Sequence, residues 1–223
     1  MLSRKLFLPL VVLATALFAY APIVIAQAPF ESSMLMVQKI FYFHVPSWFA
    51  MYAAIVTCGI ASAIYLFKGT PRHDRIAAAA GELAFVFGVF GLVTGSLWGR
   101  KAWGVWWQWD ARLTTALLLE IILLAYLVLR RYGGPGAEKL AAGVALFAMA
   151  DSVIVYKAVD WWRTVHPTTN VISSLGETSP EMYGAFLYCS ITFLILFWLL
   201  LMVRVGLEDR RAELDQLFLA EES

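Results

Sequence analysis

Residues 183–203 read YGAFLYCSITFLILFWLLLMV, an unbroken apolar stretch with no charge. A membrane helix needs about 20 such residues, because the hydrocarbon core is ~30 Å thick and each residue rises ~1.5 Å. Five more stretches meet that standard. Leu6–Ala26 and Ser47–Phe67 carry no charge. Ile76–Trp98 carries only Glu82, Leu113–Leu129 only Glu120, and Leu140–Tyr156 only Asp151. Backbone polar groups at that depth must be satisfied within the segment, and the runs are continuous rather than alternating. The expectation is an all-α integral membrane protein: one six-helix bundle spanning 1–223, with a charged tail from Gly206 to Ser223.

Composition agrees. Of 223 residues, 61% are hydrophobic and 15% charged, against about 25% charged in an ordinary soluble domain. Disorder is excluded by the high hydrophobicity. A net charge of +1 leaves no basic footprint for nucleic acid. Six spans put both termini on one side. That side collects eleven Lys and Arg against six on the other, so the termini are expected in the cytoplasm. Met1–Lys5 and Ala26-Gln27-Ala28 resemble a signal peptide's charged start and cleavage site, but the apolar stretch exceeds the usual 7–15 residues or so, so an uncleaved first helix is expected. Cys58 and Cys189 lie in separate apolar runs, outside any CxxC pattern, and read as small buried hydrophobes. The tail carries leucines at roughly helical spacing and is expected to fray.

The outer segments 27–46, 99–112 and 157–182 hold the informative residues. Five of nine tryptophans, Trp98, Trp103, Trp106, Trp107 and Trp109, fall within twelve positions. An interfacial aromatic belt accounts for one or two at a helix end. Five on one side make an aromatic platform, with Trp103 sharing a face with Trp106 and Trp107 if the helix continues. Such a platform suits a flat, conjugated ligand. His44, in Phe-His-Val-Pro-Ser before the second span, and His166, in Trp-Arg-Thr-Val-His-Pro, lie on the same side. Pro46 suits the first turn of the second helix, whose N-terminal dipole disfavours imidazolium at His44. Two imidazoles without a cysteine or carboxylate cluster suit haem iron better than structural zinc. His73 reads as a solvated turn residue. Arg100, Lys101 and Arg112 either offset haem propionates or pair with Asp110 and lipid phosphate; Lys157 and Asp160 are expected to pair with each other. Within the spans, Glu120 and Asp151 are expected to make interhelical hydrogen bonds to Ser152, Thr114 or Thr115. Gly91-Leu92-Val93-Thr94-Gly95 marks close helix packing.

Trp98-Gly99-Arg100-Lys101-Ala102-Trp103-Gly104-Val105-Trp106-Trp107-Gln108-Trp109-Asp110-Ala111-Arg112 resembles the tryptophan-rich "WWD" segment of the haem-handling proteins of cytochrome c maturation. With six spans and His-Val-Pro opening the second, the chain is similar to the short CcmC family. The resemblance implies a protein of the bacterial inner membrane that holds haem b at the periplasmic face. It implies His44 and His166 as axial iron ligands and metal-binding residues, with Trp98, Trp103, Trp106, Trp107 and Trp109 as platform. Asp110 would orient the segment, and Arg100 and Arg112 would face the propionates. Implied partners are a membrane-tethered periplasmic haem chaperone (CcmE-like), ABC-type transporter subunits (CcmA- and CcmB-like) and a small single-span subunit (CcmD-like). No GxxxxGK[ST] loop is present, so ATP would be hydrolysed by a partner, and the chain would supply position rather than its own enzymatic step. Two other readings are a b-type cytochrome carrying electrons and a transporter of another small solute.

Overall fold

The computed structural model describes residues 4–32, 34–167 and 179–221. Six helices, each with a stretch long and apolar enough to cross a membrane, account for nearly all of them, with no strand among the described residues. They are α1 (Arg4–Gln27), α2 (Phe41–Lys68), α3 (Pro71–Ala102), α4 (Ala111–Tyr132), α5 (Ala137–Trp161) and α6 (Pro180–Glu221), with a short 3-10 turn at Met36–Ile40 before α2.

Helix α2 is the axis of the bundle, packing on α3, α5 and α6. Its neighbours approach closely because they present small residues. Ala77, Ala79 and Ala80 of α3, and Ala141, Ala145 and Ala148 of α5, are buried against Met51, Ile55 and Tyr126. Without a hydrophobic drive between helices in lipid, such van der Waals contact holds them together. Helix α1 is peripheral, and its main contacts are with α6. Its C-terminal carbonyls are capped by Lys39, whose Nζ donates to Ile25 and Ala26 at 2.8 Å and to Ala28 at 3.0 Å. Both cysteines are buried and unpaired.

The α2–α3 connection is two residues long. Gly69 adopts φ 64° and caps α2 through Tyr65, and Thr70 leads into Pro71 at the first turn of α3. So tight a turn forces the helices antiparallel. That end of the bundle is tied by ion pairs: Arg130 grips Asp74 with two bonds of 2.6 and 2.9 Å, Arg75 meets Asp209 at 2.6 Å, and Arg204 lies between Glu82 and Glu208.

The helices differ from the sequence expectation at their ends. The tail does not fray: α6 runs unbroken for 42 residues, about 63 Å at ~1.5 Å per residue, so its last two dozen angstroms or so project past a ~30 Å core. Arg75–Asp209 and Arg204–Glu82 hold this projection to α3. Helix α2 starts at Phe41, which puts His44 a turn inside it and Pro46 in its interior. Helix α3 stops at Ala102, so Trp103 to Asp110 form an irregular segment and share no helical face.

Glu120 and Asp151 also depart from expectation. Both are buried, yet neither Glu120 oxygen has a hydrogen-bond partner among the described residues, nor has Asp151 Oδ2. Thr115 spends its hydroxyl on the carbonyls of Ala111 and Arg112. The Glu120 carboxyl instead fills the space where a Cβ would stand at Gly88 of α3. The Lys157–Asp160 pair forms as expected, at 3.0 Å.

Candidate functional site

At the opposite end from the ion pairs, α2, α3, α4 and the segment after α5 converge on one cleft. Its walls are His44 and Trp48 from α2, Gly91, Gly95 and Trp98 from α3, Arg112 from α4, and the outer Trp103 and His166. The topology thus brings together both histidines that the sequence singled out. His73 sits at the other end, on the first turn of α3, with its Nδ1 at 2.5 Å from Thr70 Oγ1.

Local sequence explains how each ring is held. His44 is buried, with its Cε1 3.0 Å from where a Cβ would stand at Gly95; Trp48, one turn on, sits 2.7 Å from the equivalent point at Gly91. The GxxxG stretch therefore serves close packing, as expected, but what it admits is two rings of α2 rather than a bare backbone. His44 Nδ1 lies 3.1 Å from Thr94 Oγ1. That hydroxyl already directs its only hydrogen to the carbonyls of Phe90 and Gly91, at 2.8 and 3.1 Å. Its remaining role is to accept, so Nδ1 carries the proton and Nε2 is left with a lone pair.

His166 reaches the same state by another route. Its Nδ1 lies 2.8 Å from the Pro167 carbonyl, which can only accept. Nδ1–H donates, and Nε2 is again bare. Burial, and then the neighbouring Arg112 guanidinium, push His166 from 6.5 down to about 4, so its ring is neutral at physiological pH.

Asp110 places the His166 segment. One carboxylate oxygen caps α4, accepting from Leu113 N at 2.9 Å. The other accepts from the Thr164 hydroxyl and from Val165 N at 3.0 Å. Thr164 Oγ1 in turn accepts from His166 N at 3.1 Å. The residue that starts α4 is thus two hydrogen bonds from the His166 backbone.

The tryptophans divide. Trp98 is buried, donating from Nε1 to Met34 Sδ at 3.2 Å. Its ring lies 6.0 Å from His44 and 6.2 Å from Trp103, and Trp103 lies 6.4 Å from His166. The four rings form a continuous chain from one imidazole to the other. Trp106 and Trp109, 58% and 76% exposed, point away from the cleft; Trp107 stacks edge-on to Trp109 at 5.7 Å. Arg112 lines the cleft and donates to the carbonyls of Val155 and Tyr156 at 2.5 and 3.2 Å, so of its two readings the pairing with Asp110 does not occur. Arg100 lies outside, closing the turn after α3 by donating to the Gly104 carbonyl at 2.5 Å. Sequence reasoning passed over Trp48 and Thr94. The signals were there: Trp48 is i+4 from His44, and Thr94 lies within the GxxxG stretch.

His44 and His166 both line this cleft, and in each the proton sits on Nδ1, leaving Nε2 unprotonated. Among the described residues no group of three or more His, Cys, Asp or Glu gathers as a tetrahedral site requires. The cleft holds about 40 Å³ of free space, room for a few waters and for no macrocycle.

The heme exporter protein C (CcmC) family description matches residues 1–218. The heme exporter protein C of Bradyrhizobium diazoefficiens is 35% identical over 77% of this chain and 66% of its own length. That of Escherichia coli is 30% identical over 81% of this chain and 76% of its own. A putative cytochrome c biosynthesis ccmC-like mitochondrial protein of Marchantia polymorpha is 29% identical over 70% and 66%. The chain thus spans just under two thirds of the length of the Bradyrhizobium and Marchantia proteins. With a match over almost its whole length, the chain belongs to the heme exporter protein C family.

Proposed function

We propose that this multi-pass membrane protein takes haem b as cargo in the cleft between His44 and His166, at the periplasmic face of the bacterial inner membrane. It passes the haem to a membrane-tethered chaperone during c-type cytochrome biogenesis. Both termini lie in the cytoplasm, where ABC-type subunits hydrolyse ATP, and a small single-span subunit completes the assembly. The observation that supports this reading is that His44 and His166 line one cleft, each with Nδ1 engaged in a hydrogen bond and Nε2 left unprotonated. Such second contacts orient a ligating imidazole and raise its basicity.

Each residue then has a task. His44 is the fixed ligand, held in the glycine notch of α3. His166 is the movable one, on a segment that Asp110 docks from outside the membrane. Trp98, Trp103 and Trp48 give the macrocycle an aromatic bed, and Trp106, Trp107 and Trp109 present an outer aromatic surface beside it. Arg112 offers guanidinium to a propionate inside the cleft, and Arg100 shapes the rim. Cargo held by one rigid and one hinged ligand can be both gripped and released.

Absorption spectra of haem-loaded protein test this. His44→Ala and His166→Ala should each lose the bis-imidazole spectrum, and free imidazole should restore it in His166→Ala, whose ligand site opens to solvent. Wild-type spectra in both variants would end the proposal.

A further inference from the structure

A second cavity lies far from the cleft, at the end where α1 begins and α6 ends. Helices α4 and α6 both pack on α3 there and diverge, leaving a wedge of about 750 Å³, within the ~300–1,000 Å³ range of small-molecule sites. Its apolar lining includes Val86, 58% exposed, and Leu127, both within span helices. Its rim is charged and lies where the spans end.

The rim charges decide what fits. Asp74 and Arg130 neutralise each other, Arg75 is taken by Asp209, and Glu82 and Glu208 share Arg204. Among the described residues no ion pair engages the four remaining groups, the guanidiniums of Arg131 and Arg211 and the carboxylates of Glu138 and Asp215. Two free positive and two free negative groups stand over an apolar slot. An anionic headgroup gains from the first two and is repelled by the others. A headgroup carrying both phosphate and ammonium matches all four, and its acyl chain fills the slot that water would otherwise wet.

We propose that this wedge is a binding site for a zwitterionic glycerophospholipid of the leaflet on the termini side, with phosphate at Arg131 and Arg211, ammonium at Glu138 and Asp215, and one acyl chain along Val86 and Leu127. The site bridges α4 and the projecting part of α6, which touch little otherwise.

Native mass spectrometry of the detergent-purified full chain tests it, using dioleoylphosphatidylethanolamine, dioleoylphosphatidylglycerol and free O-phosphoethanolamine as probes. The expected result is one retained phosphatidylethanolamine, bound about tenfold more tightly than phosphatidylglycerol, the scale of one or two exposed charge contacts. Val86→Trp, which fills the slot, and the exposed pair Arg131→Gln/Arg211→Gln should each lower retention about tenfold. The Arg pair keeps the test open if the tryptophan variant does not fold. Equal retention of both lipids, wild-type retention in the Arg pair, or free phosphoethanolamine binding as well as the lipid would overturn the proposal. Haem spectra of the Arg pair should match wild type, separating this site from the cleft.

Discussion

Asp110→Asn isolates the grip on His166 from the ligand itself. The carboxylate accepts three hydrogen bonds, one at the α4 cap and two from Thr164 and Val165. An asparagine side chain keeps one accepting oxygen and turns the other into a donor. If the oxygen stays toward the Thr164 segment, the NH2 faces Leu113 N and the cap is lost, at about 1 kcal/mol. If it stays at the cap, the NH2 faces Val165 N–H, and orphaning that donor costs about 1–3 kcal/mol. In the first rotamer the link to His166 N survives on a loosened α4 start, and in the second it is broken at Val165. The docked position of His166 therefore loses up to about 1–3 kcal/mol, which is about 5- to 140-fold in haem affinity at ~1.4 kcal/mol per decade. Titrating haem into purified protein and following the Soret band measures this directly. His44 should keep the iron in a mono-imidazole form, so the spectrum changes as the affinity falls. Thr164→Val removes the middle link and leaves the cap, so its loss should be smaller. Asp110→Asn binding haem like wild type, while His166→Ala does not, would refute the reasoning, because the segment would then be held by something other than this carboxylate.

Gly88→Ala drives a methyl group into the Glu120 carboxyl and should cost about 1–3 kcal/mol by overpacking, whereas Gly88→Ala/Glu120→Ala should recover most of it in thermal melts. Additive losses would mean the two do not share that space. Lys39→Met removes the charged donor from three carbonyls at the end of α1 and should lower stability by about 1–3 kcal/mol, with proteolytic nicking near 26–30 and unchanged haem affinity. His166 takes up a proton only near pH 4 when folded, against about 6.5 when free. The unfolded or undocked segment binds the proton first, so docking is stable above about pH 6.5 and weakens as pH falls toward 4. Haem retention followed by stopped-flow dilution should be flat from pH 8 to 7 and then decline; a steeper loss in the alkaline range would contradict the assignment.

The six spans were legible because long apolar runs with at most one charge admit few other readings, and the placing of His44 and His166 at one cleft because both fall on one side of a counted set of crossings. What the sequence hid was where helices stop. The apolar run marks the stretch that lipid must accept, whereas the helix continues as long as backbone bonding is favourable. Phe41–Pro46 and Gly206–Glu221 are helical outside the apolar windows for that reason. Conversely, Trp103–Asp110 is rich in aromatics at helical spacing yet irregular, since Gly104 at φ 78° and the cap at Asp110 break it on both sides. Periodicity could not distinguish Trp98 and Trp103, which face the cleft, from Trp106 and Trp109, which do not. That division follows from the turn itself. By ending α3 at Ala102, the turn aims the first two indoles inward along the helix and leaves the rest outside. Asp110 then begins α4 and fastens His166 with the same carboxylate. The tryptophan-rich segment is therefore less a uniform bed than a strap between α3 and α4, whose far anchor holds the stretch that carries His166.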